Sequence, residues 1–101
     1  MNRVKITESP RDAMQGLTRF IPTEDKARYI NALLKVGFDV IDFGSFVSPQ
    51  AIPQMRDTQE VLGKLDLSKT KTKLLVIVVN KRGGETAAQF DQINYMGFPF
   101  S

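Results

Sequence analysis

Three charged residues stand out by type and spacing. Arg11 and Asp12 are adjacent in the segment "PRDAMQG", and Asp42 interrupts the apolar segment "DVIDF". A carboxylate beside a buried strand requires a cationic partner or a metal ion, because burying an unpaired charge is costly. Two carboxylates near the Asn80 amide would suit an oxygen-ligated divalent cation. In a plainer interpretation, Arg11 and Asp12 form a turn or a surface ion pair, and Asn80 ends a strand through its side chain.

The composition limits the chemistry that these residues could perform. The chain of 101 residues contains no Cys and no His, which excludes disulfides, a Cys nucleophile and a His base or ligand within it. The net charge of +3 is mild, so no nucleic-acid partner is expected. The densest apolar run, "LLVIVV", is too short to span a bilayer, and the charged start of the chain is not a signal peptide. We therefore expect a cytoplasmic protein with no membrane partner.

The hydrophobic pattern alternates between strand-like and helix-like segments. The predicted strands cover 3–7, 39–43, 73–80 and a piece beginning at 97, and the predicted helices cover 23–36, 58–65 and 82–94. The near-continuous β-branched run of the third strand is typical of a strand buried on both faces. This order predicts an α/β fold with a parallel sheet and right-handed crossovers.

The predicted connections carry the remaining signals. A polar loop is expected from Glu8 to about Pro22, and a long irregular connection over 44–55, where Ser48-Pro49 has the pattern of a cap and first helical residue. Thr23 is the expected N-cap of the helix over 23–36, and Gly37 its expected end.

Parallel α/β folds bind ligands where the strands end. This rule places the polar residues after strands one, two and three at one rim of the sheet. The predicted rim residues are Arg11, Asp12, Gln15, Asp42, Ser45 and Asn80.

Three segments resemble the 3-hydroxy-3-methylglutaryl-CoA lyases. These are "VKITESPRDAMQG", "IPTEDKARYINALLKVGFDVID" and, most specifically, "SFVSPQAIPQM". The resemblance runs through nearly the whole chain and implies parallel (β/α) units from a TIM (β/α)8 barrel. Residues 1–101 would form the N-terminal portion of that single barrel domain, with about three βα units and a fourth strand.

The resemblance also implies an activity. It is the cleavage of 3-hydroxy-3-methylglutaryl-CoA, an acyl-CoA, to acetyl-CoA and acetoacetate by a retro-Claisen reaction that depends on a divalent cation, Mg²⁺ or Mn²⁺. A homodimer of the intact enzyme is a further expectation. By the same resemblance, Asp12 is a metal ligand, Arg11 and Asp42 are catalytic, and the substrate-binding residues are Gln15, Ser45 and Asn80.

The sequence departs from the family pattern at several positions. Ala13 replaces a glycine, Asp42 stands where a glutamate is usual, and "DFGSF" replaces "ETTSF". The family's His-x-His metal ligands, catalytic Cys and later Asn are expected beyond Ser101, so this chain alone is expected to be inactive. Two alternatives stay open: a Claisen-condensing relative of the isopropylmalate or homocitrate synthase type, and a stand-alone small α/β binding or regulatory module.

Overall fold

A four-stranded parallel sheet forms the centre of the molecule. The computed structural model describes residues 7–47, 50 and 52–98. The strands lie in chain order, as β1 (Thr7–Glu8), β2 (Val40–Phe46), β3 (Lys73–Val78) and β4 (Tyr95–Gly97). Each neighbouring pair is parallel, which confirms the predicted α/β class. Residues 3–6 of the first predicted strand, Ser48, Pro49 and Ser101 lie outside the described residues.

The connections between strands are helical. They contain α1 (Pro10–Gln15), α2 (Thr23–Val36), a 3-10 turn (Pro53–Met55), α3 (Thr58–Gly63) and α4 (Lys81–Ala87). Among the described residues, none of these helices has the length and apolar character needed to cross a bilayer.

Helix α2 has the predicted bounds. Its buried residues Ala27, Ile30 and Leu34 recur at the spacing of one helical face, and Gly37 ends the helix at a φ of 93°, which glycine adopts without strain. The predicted N-cap was wrong by one residue. Pro22 is the N-cap, and Thr23 begins the helix with its hydroxyl bonded to another element.

The main core lies between one face of the sheet and the helices. Leu74, Val76 and Val78 of β3 are fully buried there, whereas Leu75 and Ile77 on the opposite face are only partly buried. The sequence predicted burial on both faces of β3. This prediction is correct for the face that the helices cover and wrong for the opposite face, which is only partly buried.

Several predicted boundaries were wrong because tertiary contacts set them. The expected loop over 8–22 contains α1, which begins with a favourable proline in its first turn. Strand β2 continues to Phe46, so the irregular connection is shorter than 44–55. Helix α3 stops at Gly63 instead of residue 65.

The last predicted helix and strand also shift. Helix α4 covers 81–87 instead of 82–94, since Asn80 caps its start and single turns follow its end. One of these turns brings Phe90 to stack on Phe46, with ring centroids 5.8 Å apart. Strand β4 begins at Tyr95, two residues before its predicted start at residue 97.

Candidate active site

Helix α1 lies at the carboxyl end of the β1–β2 pair. Thr7 and Glu8 pair with Val40 and Ile41 in parallel register, and only Ser9 separates β1 from the helix. The first residues of α1 therefore face the point where the next polar residue of β2 emerges. This confirms the expectation that the loops after the first two strands lie at the same end of the sheet.

Arg11 and Asp42 form an ion pair at this end. Nε of Arg11 lies 2.8 Å from Oδ2 and 3.0 Å from Oδ1 of Asp42. One turn further along α1, Oε1 of Gln15 accepts a hydrogen bond of 2.9 Å from Nη1 of Arg11. The guanidinium is thus held from two directions, which fixes its orientation.

Ser9 is a third partner of Asp42. Its hydroxyl donates to Oδ2 at 3.0 Å instead of capping α1. Sequence reasoning missed this contact, since a serine before a proline at a helix start indicates an N-cap and not a partner for Asp42.

Burial is the main influence on the pKa of Asp42. Desolvation raises the pKa of this carboxyl above its ordinary value of 3.8, and this effect outweighs the lowering by Arg11 and Ser9. The negative charge of nearby Asp12 raises the pKa a little further. The carboxyl is therefore partnered but not freely solvated.

A β-bulge places Ser45 on the same sheet face as Asp42. Asp42 pairs with Leu75 and Ser45 pairs with Ile77, so a step of three residues along β2 matches a step of two along β3. Strict alternation would put Asp42 and Ser45 on opposite faces, and the extra residue at the bulge corrects this. Ser45 is 1% exposed, and its hydroxyl has no hydrogen-bond partner among the described residues.

Gly44 and Thr58 shape the bulge. A Cβ at Gly44 would lie 2.8 Å from Cγ2 and Oγ1 of Thr58, so only glycine fits without displacement. The Thr58 hydroxyl accepts from the Ser45 N–H at 3.3 Å and lies 3.0 Å from the Ser45 carbonyl and 2.9 Å from that of Met55. Neither Gly44 nor Thr58 was a predicted site residue, because no periodic signal in the sequence marks a close approach between a strand and a distant helix.

Asn80 follows the end of β3 and is not among the hydrogen-bond partners described for Arg11 and Asp42. Its Oδ1 accepts from the Gly83 N–H at 2.8 Å, which is an N-cap. It also lines a cavity of about 360 Å³ together with Phe46 and Arg82. This cap agrees with the plainer interpretation, in which the Asn80 side chain ends the strand. A contact between Asn80 and a substrate stays a prediction.

Asp12 carries an exposed carboxylate, and its predicted role as a metal ligand stays a prediction. It is exposed in the first turn of α1, next to the Arg11–Asp42 pair. Within the described residues no group of three or more Asp, Glu, His or Cys residues is placed to hold a metal ion.

Two relatives in sequence indicate the family. No protein-family model matches the chain. A hydroxymethylglutaryl-CoA lyase of Bacillus subtilis is 40% identical over 88 residues, which cover 86% of this chain and 29% of the relative. The cytoplasmic 3-hydroxy-3-methylglutaryl-CoA lyase of Rattus norvegicus is 46% identical over 61 residues, or 59% of this chain and 18% of the relative.

Solved structures agree with the sequence relatives. An HMG-CoA lyase from Acinetobacter baumannii, in complex with coenzyme A and 3-methylmalate, matches 93% of this chain with a TM-score of 0.85 and 34% identity. The hydroxymethylglutaryl-CoA lyase from Pseudomonas aeruginosa matches 95% with a TM-score of 0.85 and 30% identity. This chain covers 30% and 32% of those two structures. It is thus a relative of the hydroxymethylglutaryl-CoA lyases, with the fold of the N-terminal part of their TIM barrel.

Proposed function

We propose that this chain supplies the N-terminal part of a lyase site that cleaves 3-hydroxy-3-methylglutaryl-CoA to acetyl-CoA and acetoacetate. The main support is the Arg11 guanidinium, which Asp42 and Gln15 orient at the carboxyl end of the parallel strands. Its described bonds engage Nε and Nη1, so Nη2 has no partner within 7–47, 50 and 52–98. That nitrogen can donate to a bound substrate.

The chemistry requires a cation beside a developing negative charge. A base removes the proton of the substrate's tertiary hydroxyl, and the freed electron pair forms the carbonyl group of acetoacetate. The carbon–carbon bond breaks, and its electrons leave as the enolate of acetyl-CoA, which then takes up a proton. The role we assign to Arg11 is to stabilise the enolate oxygen, since a preoriented donor does so without reorganising.

Asp42 orients Arg11 in this proposal. Both of its oxygens accept from Nε of Arg11, and Ser9 adds a bond to one of them. The shorter aspartate side chain, where the family usually has glutamate, reaches Arg11 because α1 packs directly against β2. Asp42 thus acts on catalysis through the guanidinium.

We further propose that the intact enzyme uses Mg²⁺ or Mn²⁺ with Asp12 as one ligand. Such a cation would chelate the substrate's oxygens and lower the pKa of its hydroxyl. Exposure of the Asp12 carboxylate next to the Arg11–Asp42 pair supports this role. The resemblance assigns the remaining ligands to a His-x-His pair beyond Ser101.

Ser45 and Asn80 are proposed substrate contacts, with Gln15 close by. The buried, unpartnered hydroxyl of Ser45 on the Asp42 face supports the first assignment, since such a group gains a hydrogen bond when a ligand binds. Asn80 has weaker support because its side-chain oxygen already caps α4.

The proposed location is the cytoplasm, and the proposed assembly of the intact enzyme is a homodimer. A rat relative is named cytoplasmic, whereas other relatives, such as that of Gallus gallus, are named mitochondrial. Fractionation of cells expressing the protein would separate the two compartments, and the mass of the intact enzyme in solution would test the dimer.

A chimeric enzyme tests the activity. The matching segment of the Bacillus subtilis relative is replaced by this chain, and acetoacetate release from 3-hydroxy-3-methylglutaryl-CoA is measured with and without Mg²⁺. We expect Mg²⁺-dependent turnover that Arg11→Met abolishes and the exposed control Arg28→Met, on α2, retains. This chain alone should release no acetoacetate. A folded chimera without activity would contradict the proposal and favour a stand-alone binding module.

A further inference from the structure

Gln54 joins the segment after α1 to the connection that follows β2. It lies in the 3-10 turn and is 5% exposed. Its Nε2 donates to the carbonyls of Arg19 at 2.8 Å and Leu17 at 3.3 Å, and its Oε1 accepts from the Ile21 N–H at 2.8 Å. One side chain thus satisfies three main-chain groups across more than thirty residues of sequence.

The main chain of Gln54 is held as well. Its carbonyl accepts from the ammonium group of Lys26, which is 2% exposed and lies in the first turns of α2. That ammonium also lies 4.2 Å from the ring centroid of Phe20, and the Arg56 guanidinium lies 3.7 Å from the same centroid. The 3-10 turn and residues 17–21 are therefore tied together by several contacts that do not involve the Arg11–Asp42 pair.

These contacts bear on α1 because so short a helix is marginal alone. Helix α1 has six residues, fewer than an isolated helix needs in water. Its own carboxyl end is fixed by a bond from the Leu17 N–H to the Met14 carbonyl, and Gln54 binds the carbonyl of the same Leu17. Met14 and Met55 lie in one core cluster, so α1 also packs on the 3-10 turn.

We propose that Gln54 is a positioning residue for Arg11, an inference that rests on the proposed role of Arg11 in the lyase site. By fixing residues 17–21, its amide holds α1 at the angle at which Nε of Arg11 meets Asp42. Loss of the amide leaves the sheet intact but lets α1 rotate or fray. Through Gln54, the connection after β2 thereby orients the side chain of Arg11, which follows β1.

Hydrogen exchange in this 101-residue chain tests the proposal without any activity measurement. Gln54→Met keeps the side-chain length but removes all three hydrogen bonds, and exchange is followed by NMR at the Ile21 amide and at Nε–H of Arg11. We expect both to exchange about tenfold faster or more, because each loses protection when one or more hydrogen bonds that hold the segment are removed. The β3 amides of Val76 and Ile77 should change far less.

The controls separate positioning from general destabilisation. Gln59→Met alters an exposed glutamine on α3 and should leave every rate unchanged. Gln54→Asn keeps the amide on a side chain that is one methylene shorter, so it should give an intermediate effect, and it serves if Gln54→Met does not fold. Equal acceleration at Arg11 and in β3, or no acceleration at Arg11, would overturn the proposal. A failed lyase assay would not affect this result.

Discussion

Nε of Arg11 lies 2.8 Å from Oδ2 of Asp42 and 3.0 Å from Oδ1, and this contact joins the first two parallel strands at their carboxyl ends. The two side chains are 16% and 8% exposed, so water screens the pair only partly. Asp42 is therefore the acceptor that orients Nε of Arg11.

Replacing Asp42 by Ala should therefore destabilise the chain. The substitution removes both acceptor oxygens of Arg11 and Ser9, and we expect the free energy of unfolding to fall by about 1–3 kcal/mol, as when partly buried donors lose their acceptor. Urea denaturation measures this loss. The exposed Asp91→Ala should stay within about 0.5 kcal/mol of the parent. Equal losses in both variants would show that the ion pair does not stabilise the fold.

The pKa of Asp42 gives a pH dependence with a definite sign. Burial raises this pKa above 3.8, so the folded chain binds more protons than the unfolded one at pH values between the two pKa values. The contribution of Asp42 to stability is complete below its unfolded pKa and is lost as pH rises through its folded pKa. A ¹³C NMR titration of the carboxyl should show a midpoint above 3.8.

The variant Arg11→Met should raise the pKa of Asp42 further, because it removes the guanidinium that lowers it. Asp66 provides an internal control in the same titration. Hydrogen bonds from Ser68 lower the pKa of this exposed carboxyl below 3.8, and its midpoint should not respond to Arg11→Met. A fall in the pKa of Asp42 in this variant would mean that burial of the carboxyl depends on Arg11.

Gly44→Ala should disturb the bulge that brings Asp42 and Ser45 to one face. The added Cβ would meet the Thr58 side chain at 2.8 Å. Thr58 is buried, and its hydroxyl is hydrogen-bonded to both the N–H and the carbonyl of Ser45. We expect the free energy of unfolding, measured by heat or urea, to fall by about 1–3 kcal/mol, as for overpacked cores. Gly16→Ala, where nothing lies within 4 Å, is the matched control and should not lose stability in this way. If both variants unfold alike, the close contact is not what requires glycine.

The features that local sequence determines were predictable. The spacing of Ala27, Ile30 and Leu34 defined α2 to the residue, because one apolar face and a terminal glycine are local signals. The alternation of strands and helices predicted the parallel sheet, and parallel strands must end together. From this rule alone, Arg11 and Asp42 could be expected to meet.

The features that depend on distant contacts were not predictable. Helix α1 is too short for a periodic pattern and is held by tertiary contacts. The register shift at Gly44 depends on Thr58, and the early end of α4 accompanies the stacking of Phe90 on Phe46. The sequence allowed Asn80 to be either a ligand contact or the residue that ends a strand, and the folded structure shows that its side chain caps α4.

The buried pair of Lys26 and Asp57 should be strongly coupled. Nζ of Lys26 lies 2.5 Å from Oδ1 of Asp57, and the two side chains are 2% and 10% exposed. Lys26→Met leaves the buried carboxylate of Asp57 with the Thr23 hydroxyl as its remaining partner among the described residues, so we expect the free energy of unfolding in urea to fall by about 3–5 kcal/mol. When Asp57→Leu is added to Lys26→Met, the further loss of stability should be smaller than the loss that Asp57→Leu causes in the parent chain, because the uncompensated charge is removed. A double-mutant cycle should give a coupling free energy of about 1–3 kcal/mol.

The exposed pair of Lys81 and Glu85, 3.8 Å apart, is the control, and its coupling free energy should be no more than about 0.5 kcal/mol. Additive losses at Lys26 and Asp57 would mean that the packing of their side chains, and not their charges, stabilises the junction between α2 and α3.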